Sequence, residues 1–595
     1  MLVGENMKTF EIKDEFIVDG KPIKILSGAI HYFRIVPKHW EDSLYNLKAL
    51  GFNTVETYIP WNLHEPKEGK FDFQGIKDVV SFIKKAQEMG LMVIVRPSPY
   101  ICAEWEFGGL PAWLLTYDNL HLRSDCPRYL EKVKNYYEVL LPMLTSLQST
   151  QGGPIIMMQV ENEFGSFSNN KTYLRKLKKI MLDLGVEVPL FTSDGSWQQA
   201  LESGSLIDDD VLVTANFGSH SHENLDILEQ FMANHQKKWP LMSMEFWDGW
   251  FNRWGEEIIT RDAQDLADCV KELLTRGSIN LYMFHGGTNF GFMNGCSARG
   301  QKDLPQVTSY DYDALLTEAG DITEKYQCVK KVMKELFPDI QQMEPRMREK
   351  KSYGTIPLNR KVSLFETLED ISECQRSVFP QTLEQLGEGY GYVLYKTQVK
   401  GFHQEEKVKV MEASDRIQVY KDGEHVITQY QEEIGKEFSV YFAESNELSI
   451  LVENMGRVNY GYKLLSPTQK KGIRSGVMVD IHFETDWQQY PLPLNNIGNI
   501  NFDKDWRENT PSFYEFVFNV DECQDTFIDC HQLGKGCIFI NGFHLGRYWS
   551  RGPIEYLYLP GPLLKKGMNQ IIVFETEGFA IDNITFVDYP VYKKD

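Results

Sequence analysis

The sequence predicts an α/β plus all-β architecture: a (β/α)8 TIM barrel followed by two β-sandwich or jelly-roll domains. Three observations lead to this prediction. Short apolar runs alternate with helical patterns eight times, two of those runs end on glutamates, and a pattern of short alternating strands takes over after residue 350. A chain of 595 residues is also too long for a single hydrophobic core.

The candidate barrel strands are residues 25–33, 53–59, 91–96, 155–160, 189–193, 212–217, 241–246 and 279–285. The intervening candidate helices include residues 40–50, 76–89, 128–148, 171–184, 225–235 and 263–276. The second of these helices places Val79, Val80, Ile83 and Ala86 on one face at helical spacing. A doubly wound sheet is the alternative, but it would not naturally use eight such units.

Composition and charge exclude several classes of protein. The net charge is −22 and no long basic run occurs, which argues against nucleic acid or an anionic membrane as a partner. No apolar run reaches the length of a membrane span. Nine cysteines without a paired spacing predict reduced thiols, and residues 1–7 lack the pattern of a secretory signal. A cytoplasmic location is therefore expected, with Met1 or Met7 as the start.

Two strands end in carboxylates. The fourth strand ends in Glu161-Asn162-Glu163, and the seventh ends in Glu245 among aromatic residues. Carboxylates at the C-terminal ends of two parallel strands suit glycoside hydrolysis, in which one protonates the leaving oxygen and the other attacks or activates water. Strand alternation places Glu161 and Glu163 on the same face, so the residues alone do not choose between them.

Other strands also end in polar or aromatic residues, which we expect to converge on one rim of the barrel as a deep pocket. These residues include His31–Arg34, Tyr58, Arg96, Glu104, Ser193, Asp194, Asn216 and Tyr282–His285. No metal-ligand set is evident, and glycoside hydrolysis by two carboxylates needs neither a metal nor another cofactor.

Six long stretches carry a resemblance to a known family. They are SGAIHYFR (27–34), ETYIPWNLHEP (56–66), RPSPYICAEWEFGGLPAW (96–113), QVENEFG (159–165), YMFHGGTNF (282–290) and TSYDYDA (308–314). Through them the chain resembles the β-galactosidases of glycoside hydrolase family 35. The resemblance is closest to bacterial, non-secreted members that prefer β1,3-linked galactose.

The resemblance implies roles for the two catalytic carboxyl groups. Glu163 follows Asn162, as the acid/base does in this clan, and Glu245 matches the nucleophile that forms a covalent galactosyl intermediate. Glu161 is then expected to be a buried structural partner. Burial and the charge of Glu245 are expected to raise the pKa of Glu163.

The resemblance also implies the residues that bind the substrate. Galactose hydroxyls are expected to contact Tyr58, Cys102, Ala103, Glu104 and Asn162, and the pocket tyrosines are expected to be Tyr282 and Tyr312, with Tyr310 in support. Trp247, Trp250 and Trp254 suit a stacking platform for the next sugar, and Tyr460 is expected to reach over the barrel mouth.

The domains are expected to divide as a barrel (1–337), a linker (338–352), a first all-β domain (353–495) and a second (496–595). The last domain resembles the galactose-binding-like jelly rolls of the family, which usually brace the barrel, so no sugar site is expected there. Residues 352–368 are a candidate strand of this last domain.

Together these features predict a retaining exo-β-galactosidase that acts on terminal β-D-galactose, linked β1,3 to N-acetylhexosamine in oligosaccharides. A relative with shifted specificity is the first alternative, either an exo-β-glucosaminidase or a broad β-galactosidase, although the intact Cys102-Ala103-Glu104 argues against a glucosaminidase. A non-catalytic carbohydrate-binding protein is the second, although such a protein would typically lose Glu163 or Glu245. A homodimer is a candidate assembly.

Overall fold

A computed structural model describes residues 9–591 of the chain. Its largest unit is a closed barrel of eight parallel strands, each paired with the next and the last with the first. The strands are β1 (Leu26–Ile30), β2 (Thr54–Tyr58), β3 (Met92–Arg96), β4 (Ile155–Asn162), β5 (Leu190–Gly195), β6 (Leu212–Phe217), β7 (Met242–Trp247) and β8 (Ser278–His285). The predicted TIM barrel is therefore confirmed, with strand bounds within a few residues of those expected.

Helices cover the outside of the barrel. They are Trp40–Ala49, Trp61–His64, Val79–Glu88, Pro127–Thr145, Lys171–Asp183, Gln198–Gly204, Ser221–Asn234, Ala263–Leu274 and Glu324–Leu336. The third begins at Val79 rather than residue 76, because the Asp78 carboxylate accepts a hydrogen bond from the Ser81 amide (2.9 Å) and caps the helix there. Phe82, rather than the half-buried Val80, completes its buried face.

The N-terminal end of the barrel is closed by a small antiparallel sheet that the sequence analysis did not anticipate. Its strands are Phe10–Ile12, Phe16–Val18 and Lys21–Ile23. Phe10, Phe16 and Val18 pack against the apolar residues that begin the barrel strands, such as Ile94 and Met242. This plug covers the end opposite the polar strand ends.

Four antiparallel sheets follow the barrel, as the predicted all-β domains require. The first two contain Gln375–Ser377, Tyr392–Val399, Gln404–Ser414, Arg416–Lys421, Glu424–Tyr430, Phe438–Phe442, Asn446–Glu453, Gly472–Val479, His482–Phe483 and Trp487–Leu492. The other two contain Gly354–Pro357, Arg360–Ser363, Ser512–Val520, Thr526–Asp529, Lys535–Ile540, Phe543–Trp549, Tyr556–Leu559, Gly567–Glu575 and Asn583–Val587.

The chain enters the last pair of sheets before it forms the first pair. Gly354–Pro357 pairs with Asn583–Val587, and Arg360–Ser363 pairs with Ser512–Val520. One apolar cluster, with Leu394 from the first pair and Phe574 from the second, joins the two pairs of sheets. Within residues 9–591 no helix combines the length and the apolar character needed to cross a membrane.

Candidate active site

Glu163 lies directly after β4, at the C-terminal end of the barrel. Its backbone is in the left-handed region (φ +48°), which is uncommon for a residue with a side chain and turns the chain sharply out of the strand. The Ser193 carbonyl at the end of β5 accepts the Glu163 N–H (3.0 Å), and the Asp194 carboxylate accepts the Gly165 N–H (2.7 Å). Asn216 at the end of β6 donates its amide to Glu163 Oε1 (3.1 Å).

Glu245, near the end of β7, is buried and surrounded by donors. Tyr58 donates its hydroxyl to Oε1 (2.6 Å), and Arg96 Nη2 lies 2.8 Å from the same oxygen. Trp247 donates its indole N–H to Oε2 (3.1 Å). Three donors, one of them a permanent cation, stabilise a negative charge on this carboxylate.

The environment of Glu163 has the opposite effect. Burial raises its pKa to about 8, the negative charge of Glu245 acts in the same direction, and the hydrogen bond from Asn216 acts against both. This raised pKa favours the protonated form of Glu163 at neutral pH. One carboxyl group that keeps its proton, beside a second that is surrounded by donors, is the arrangement that acid-assisted displacement requires.

Asn162 is held at both ends of its side-chain amide. Its Oδ1 accepts from Arg96 (2.8 Å) and Gln159 (3.2 Å) and lies 2.9 Å from the Tyr58 hydroxyl, and its Nδ2 donates to the Ile101 carbonyl (3.2 Å). This network fixes the orientation of Asn162 toward the loop that follows β3.

That loop contains three consecutive residues in the left-handed region, Cys102 (φ +58°), Ala103 (φ +52°) and Glu104 (φ +48°). Such strain persists only where surrounding contacts hold the backbone. Arg34 donates to the Ala103 carbonyl, and Asn289 Nδ2 donates to the Glu104 carbonyl (3.0 Å). The loop therefore presents the Glu104 carboxylate in a fixed position.

Glu104 lies among the tyrosines predicted for the sugar pocket. Tyr310 donates its hydroxyl to Glu104 Oε2 (2.5 Å), and burial raises the Glu104 pKa to about 7. The hydroxyl of Tyr282 lies 3.3 Å from that of Tyr310, whereas the ring of Tyr312 packs edge-on against Tyr282 (5.6 Å between centroids). The hydroxyl that touches Glu104 thus belongs to Tyr310, for which the sequence analysis expected a supporting role.

The structure separates the three tryptophans of the loop after β7. Trp247 contacts Glu245, and its ring meets Trp250 edge-on at 5.7 Å. Trp254 packs instead against Trp549 of the C-terminal sheets (6.0 Å between centroids). Trp247 and Trp250 therefore lie together, with Trp247 in contact with Glu245.

Tyr460 comes from the first β region and reaches the barrel. Burial, and then the negative charge of Glu163, raises its pKa to about 12, although 43% of the residue stays exposed. Next to it, Asn459 donates its amide to Cys102 Sγ (3.4 Å), and its carbonyl accepts the Tyr100 hydroxyl (2.6 Å). The segment 454–461 therefore forms part of the wall of the pocket.

Glu161 is fully buried in a separate ion pair. Arg123 donates Nε and Nη2 to its two oxygens, both at 2.9 Å, and also donates to the Asn162 carbonyl (2.7 Å). Sequence reasoning missed Arg123 and Asn459, because both lie in loops where no periodic pattern marks them. Arg96 was predictable as a site residue, since it ends β3 on the rim where the polar strand ends were expected to converge.

Comparisons with known proteins cover nearly the whole chain. The family model described as glycosyl hydrolases family 35 matches residues 15–336. Models of a β-galactosidase first all-β domain and a β-galactosidase galactose-binding domain match residues 380–493 and 511–569. The β-galactosidase of Mus musculus is 38% identical over 98% of this chain and 95% of its own, and that of Homo sapiens is 37% identical over 99% and 92%. β-Galactosidase 17 of Arabidopsis thaliana is 37% identical over 96% and 87%.

Proposed function

The chain belongs to family 35 of the glycosyl hydrolases, and from this premise we propose that it is a retaining exo-β-galactosidase. The observation that carries the proposal is the pairing of the buried Glu163, whose pKa burial raises, with Glu245, whose carboxylate is contacted by three donors. Glu163 is proposed as the acid/base and Glu245 as the nucleophile.

In the first step Glu163 transfers its proton to the glycosidic oxygen while a Glu245 oxygen attacks the anomeric carbon. The carbon–oxygen bond to the leaving sugar breaks, and a galactosyl ester of Glu245 forms. This ester removes the negative charge that raised the pKa of Glu163, so Glu163 readily stays ionised. It can then take a proton from water, whose oxygen attacks the anomeric carbon and releases Glu245. Two inversions give net retention.

Galactose selectivity is proposed to come from the wall formed by Tyr58, Asn162, Cys102–Glu104, Tyr282 and Tyr312. Glu104 supplies a carboxylate held by the Tyr310 hydroxyl, and Asn162 supplies a fixed amide. A site that hydrogen-bonds a sugar hydroxyl rejects an epimer strongly, because its own buried polar groups then lose their partners. Asn459 of the β region contacts the Cys102 side chain by donating its amide to Sγ.

For the leaving sugar we propose a platform of Trp247 and Trp250, with Tyr460 facing it across the mouth. The contact of Trp247 with Glu245 and the position of Tyr460 near Glu163 support this assignment. We propose β1,3-linked N-acetylhexosamine as the preferred leaving sugar, on the basis of the resemblance to members with that preference. Trp254, packed against Trp549, is proposed to support the loop from behind.

The test is hydrolysis of galactose joined β1,3, β1,4 and β1,6 to N-acetylglucosamine by the full chain, with the anomer of the first product followed by NMR. Wild type is expected to cleave the β1,3 compound fastest and to release β-galactose first. Glu163→Gln and Glu245→Gln are expected to lose about 10⁴-fold or more in kcat, whereas Glu223→Gln on an exposed helical site keeps full activity.

Three outcomes would overturn parts of this proposal. Failure of the wild-type chain to release galactose from any of the three would reject the β-galactosidase assignment. Equal rates on all three would reject the β1,3 preference and leave the galactosidase assignment intact. Release of α-galactose first would indicate a single, inverting displacement instead of the proposed double displacement.

A further inference from the structure

A second cleft adjoins the catalytic carboxyl groups. It has a volume of about 540 Å³, within the range of about 300–1,000 Å³ of small-molecule sites. We call it the outer cleft, and its lining includes Trp197, Asn216, Asn224, Trp247, Arg261 and Asp265. Two of these residues touch the catalytic pair: Asn216 donates to Glu163 and Trp247 donates to Glu245.

The outer cleft lies across the catalytic pair from the proposed galactose pocket. The galactose pocket is built from the ends of β2, β3 and β8, through Tyr58, Glu104 and Tyr282. The outer cleft is built from the loops that follow β5, β6 and β7. In the closed barrel β2 and β3 lie opposite β6 and β7, whereas β8 lies beside β7. The outer cleft reaches Glu163, the proposed acid, through Asn216, so a glycan with galactose in its pocket directs its leaving group toward this cleft.

Trp197 is the residue of the outer cleft that indicates a ligand-binding surface. Of the twelve tryptophans, all within residues 9–591, it is the one with about half of its surface exposed (51%). Its ring lies directly over Gly195, where an added Cβ would fall 1.9 Å from the ring. Its carbonyl accepts the N–H groups of Ala200 (3.1 Å) and Leu201 (3.2 Å), which fixes the backbone at the start of a helix.

Other lining residues of the outer cleft are polar. The Asp265 side chain is 60% exposed and receives Nε of Arg261 on one oxygen (2.8 Å). The other face of Arg261 donates to the Gly218 and Trp247 carbonyls (2.7 and 2.8 Å), so this side chain joins the loops after β6 and β7. Asn224 accepts the Ser196 hydroxyl (2.5 Å) and donates to the Ser219 carbonyl (2.7 Å), which fixes the loops after β5 and β6.

We propose that the outer cleft, whose Trp247 and Trp250 serve the first leaving sugar, also holds a second leaving-group sugar, with Trp197 as its stacking surface and Asp265 as an acceptor for its hydroxyls. The inference rests on the proposed function and extends it to neutral glycans with at least two sugars after the galactose. A rigid indole face pairs with the C–H face of a pyranose, and its burial gains free energy without ordering a flexible side chain.

The experiment compares three substrates: nitrophenyl β-galactoside, galactosyl-β1,3-N-acetylglucosamine, and the trisaccharide that adds a β1,3-linked galactose at its reducing end. Trp197→Ala is expected to lower kcat/KM for the trisaccharide about tenfold and to leave the other two within about twofold. Trp197→Phe keeps an aromatic face and is expected to retain most of the activity on the trisaccharide. Phe402→Ala, at a site 77% exposed outside the outer cleft, is the control and is expected to change none of the rates.

The outcomes separate this inference from the proposed function. An unchanged rate of Trp197→Ala on the trisaccharide would overturn the outer subsite while wild-type cleavage of the disaccharide upholds the galactosidase. An equal loss on all three substrates would also overturn it, because Trp197 would then act on the catalytic site itself. Loss of wild-type activity on all three would reject the proposed function instead.

Discussion

Glu163 and Glu245 have the same side chain but different neighbours, and those neighbours divide the chemistry between them. Glu245 receives a phenol, a guanidinium and an indole N–H, all of which favour its anion. Glu163 receives one amide N–H and otherwise faces burial and the charge of Glu245. The proposed acid and the proposed nucleophile therefore differ in their local contacts.

The pKa of Glu163 predicts the alkaline limb of the pH profile. Because the acid must be protonated to act, kcat/KM is expected to fall as the pH rises through about 8. The hydrogen bond from Asn216 lowers this pKa, so its removal in Asn216→Ala is expected to move the limb to higher pH by a fraction of a unit. The measurement is kcat/KM for nitrophenyl β-galactoside from pH 6 to 10.

A limb that stays in place or moves to lower pH in Asn216→Ala would contradict this account of Glu163. Asn234→Ala, at the exposed end of a helix, is the matched control and is expected to leave the whole profile unchanged.

Reasoning from the sequence reached the two carboxyl groups because each lies where an apolar strand ends. The same logic reached Tyr58, Asn162 and Tyr282. It gave no means of assigning the hydroxyl that contacts Glu104, since Tyr310 and Tyr312 lie two residues apart in one loop. That assignment depends on the left-handed turn at Tyr312 (φ +63°), which no periodic pattern predicts.

At the scale of elements, the site depends on the docking of two loops. The loop after β3 and the segment 454–461 meet through Arg457, whose side chain is fully buried. It donates to Glu106 Oε1 of the barrel (2.6 Å) and to Glu384 of the first β region. One guanidinium thus joins the two parts of the chain that supply the walls around Cys102.

Arg457→Met is expected to destabilise the protein by about 3–5 kcal/mol, because it leaves two buried carboxylates without their cation. The lost docking of Asn459 onto Cys102 is also expected to raise KM more than it lowers kcat. Differential scanning calorimetry and steady-state kinetics measure the two effects. Arg299→Met removes an ion pair whose arginine is 70% exposed, and is expected to cost about 1 kcal/mol or less.

Equal changes in stability for the two arginine variants would show that the buried pair does not hold the loops together. A loss confined to kcat in Arg457→Met, with KM unchanged, would show that segment 454–461 is not part of the wall of the sugar pocket.

Long elements were predictable and short ones were not. The eight barrel strands follow from apolar runs that repeat with intervening helices. The three strands of the N-terminal plug have only three residues each, which is too few to show an alternating pattern. Their position follows instead from the packing of Phe10 and Phe16 against apolar residues of the barrel strands at its N-terminal end.

At the scale of the whole molecule, the β regions and the barrel form one connected structure. Arg547 in the last sheets donates to Asn294 of the barrel (2.8 Å) and lies 3.2 Å from Glu453 of the first β region. We propose a domain division in which residues 353–368 belong to the last β domain, on the basis of their pairing with its strands. The chain then passes between the two β domains more than once, so the last β domain is built from two separate stretches of the sequence.

The contact between these regions centres on the buried carboxylate of Glu453. Lys535 and Arg547 approach one of its oxygens and Arg416 the other, the two arginines at 3.2 Å. Burial would raise the pKa of Glu453, but the three cations lower it further than burial raises it. Burial lowers the pKa of Lys535 to about 8, against the attraction of Glu453.

Glu453→Gln is expected to destabilise the protein by about 3–5 kcal/mol at pH 7, because three buried cations lose their counter-charge. The loss is expected to be smaller at pH 9. The pKa of Lys535 is lower in the folded protein than in the unfolded chain, so the free energy of unfolding rises with pH between these two pKa values. Glu453→Gln removes an attraction that raises the folded pKa, so the rise begins at a lower pH in the variant. At pH 9 Lys535 is largely neutral in both folded proteins, and its charge then contributes little to the difference.

Thermal unfolding at pH 7 and pH 9 measures the effect, and adding Lys535→Met is expected to restore part of the stability at pH 7. An equal loss at both pH values would mean that Lys535 is not the group that couples this contact to pH.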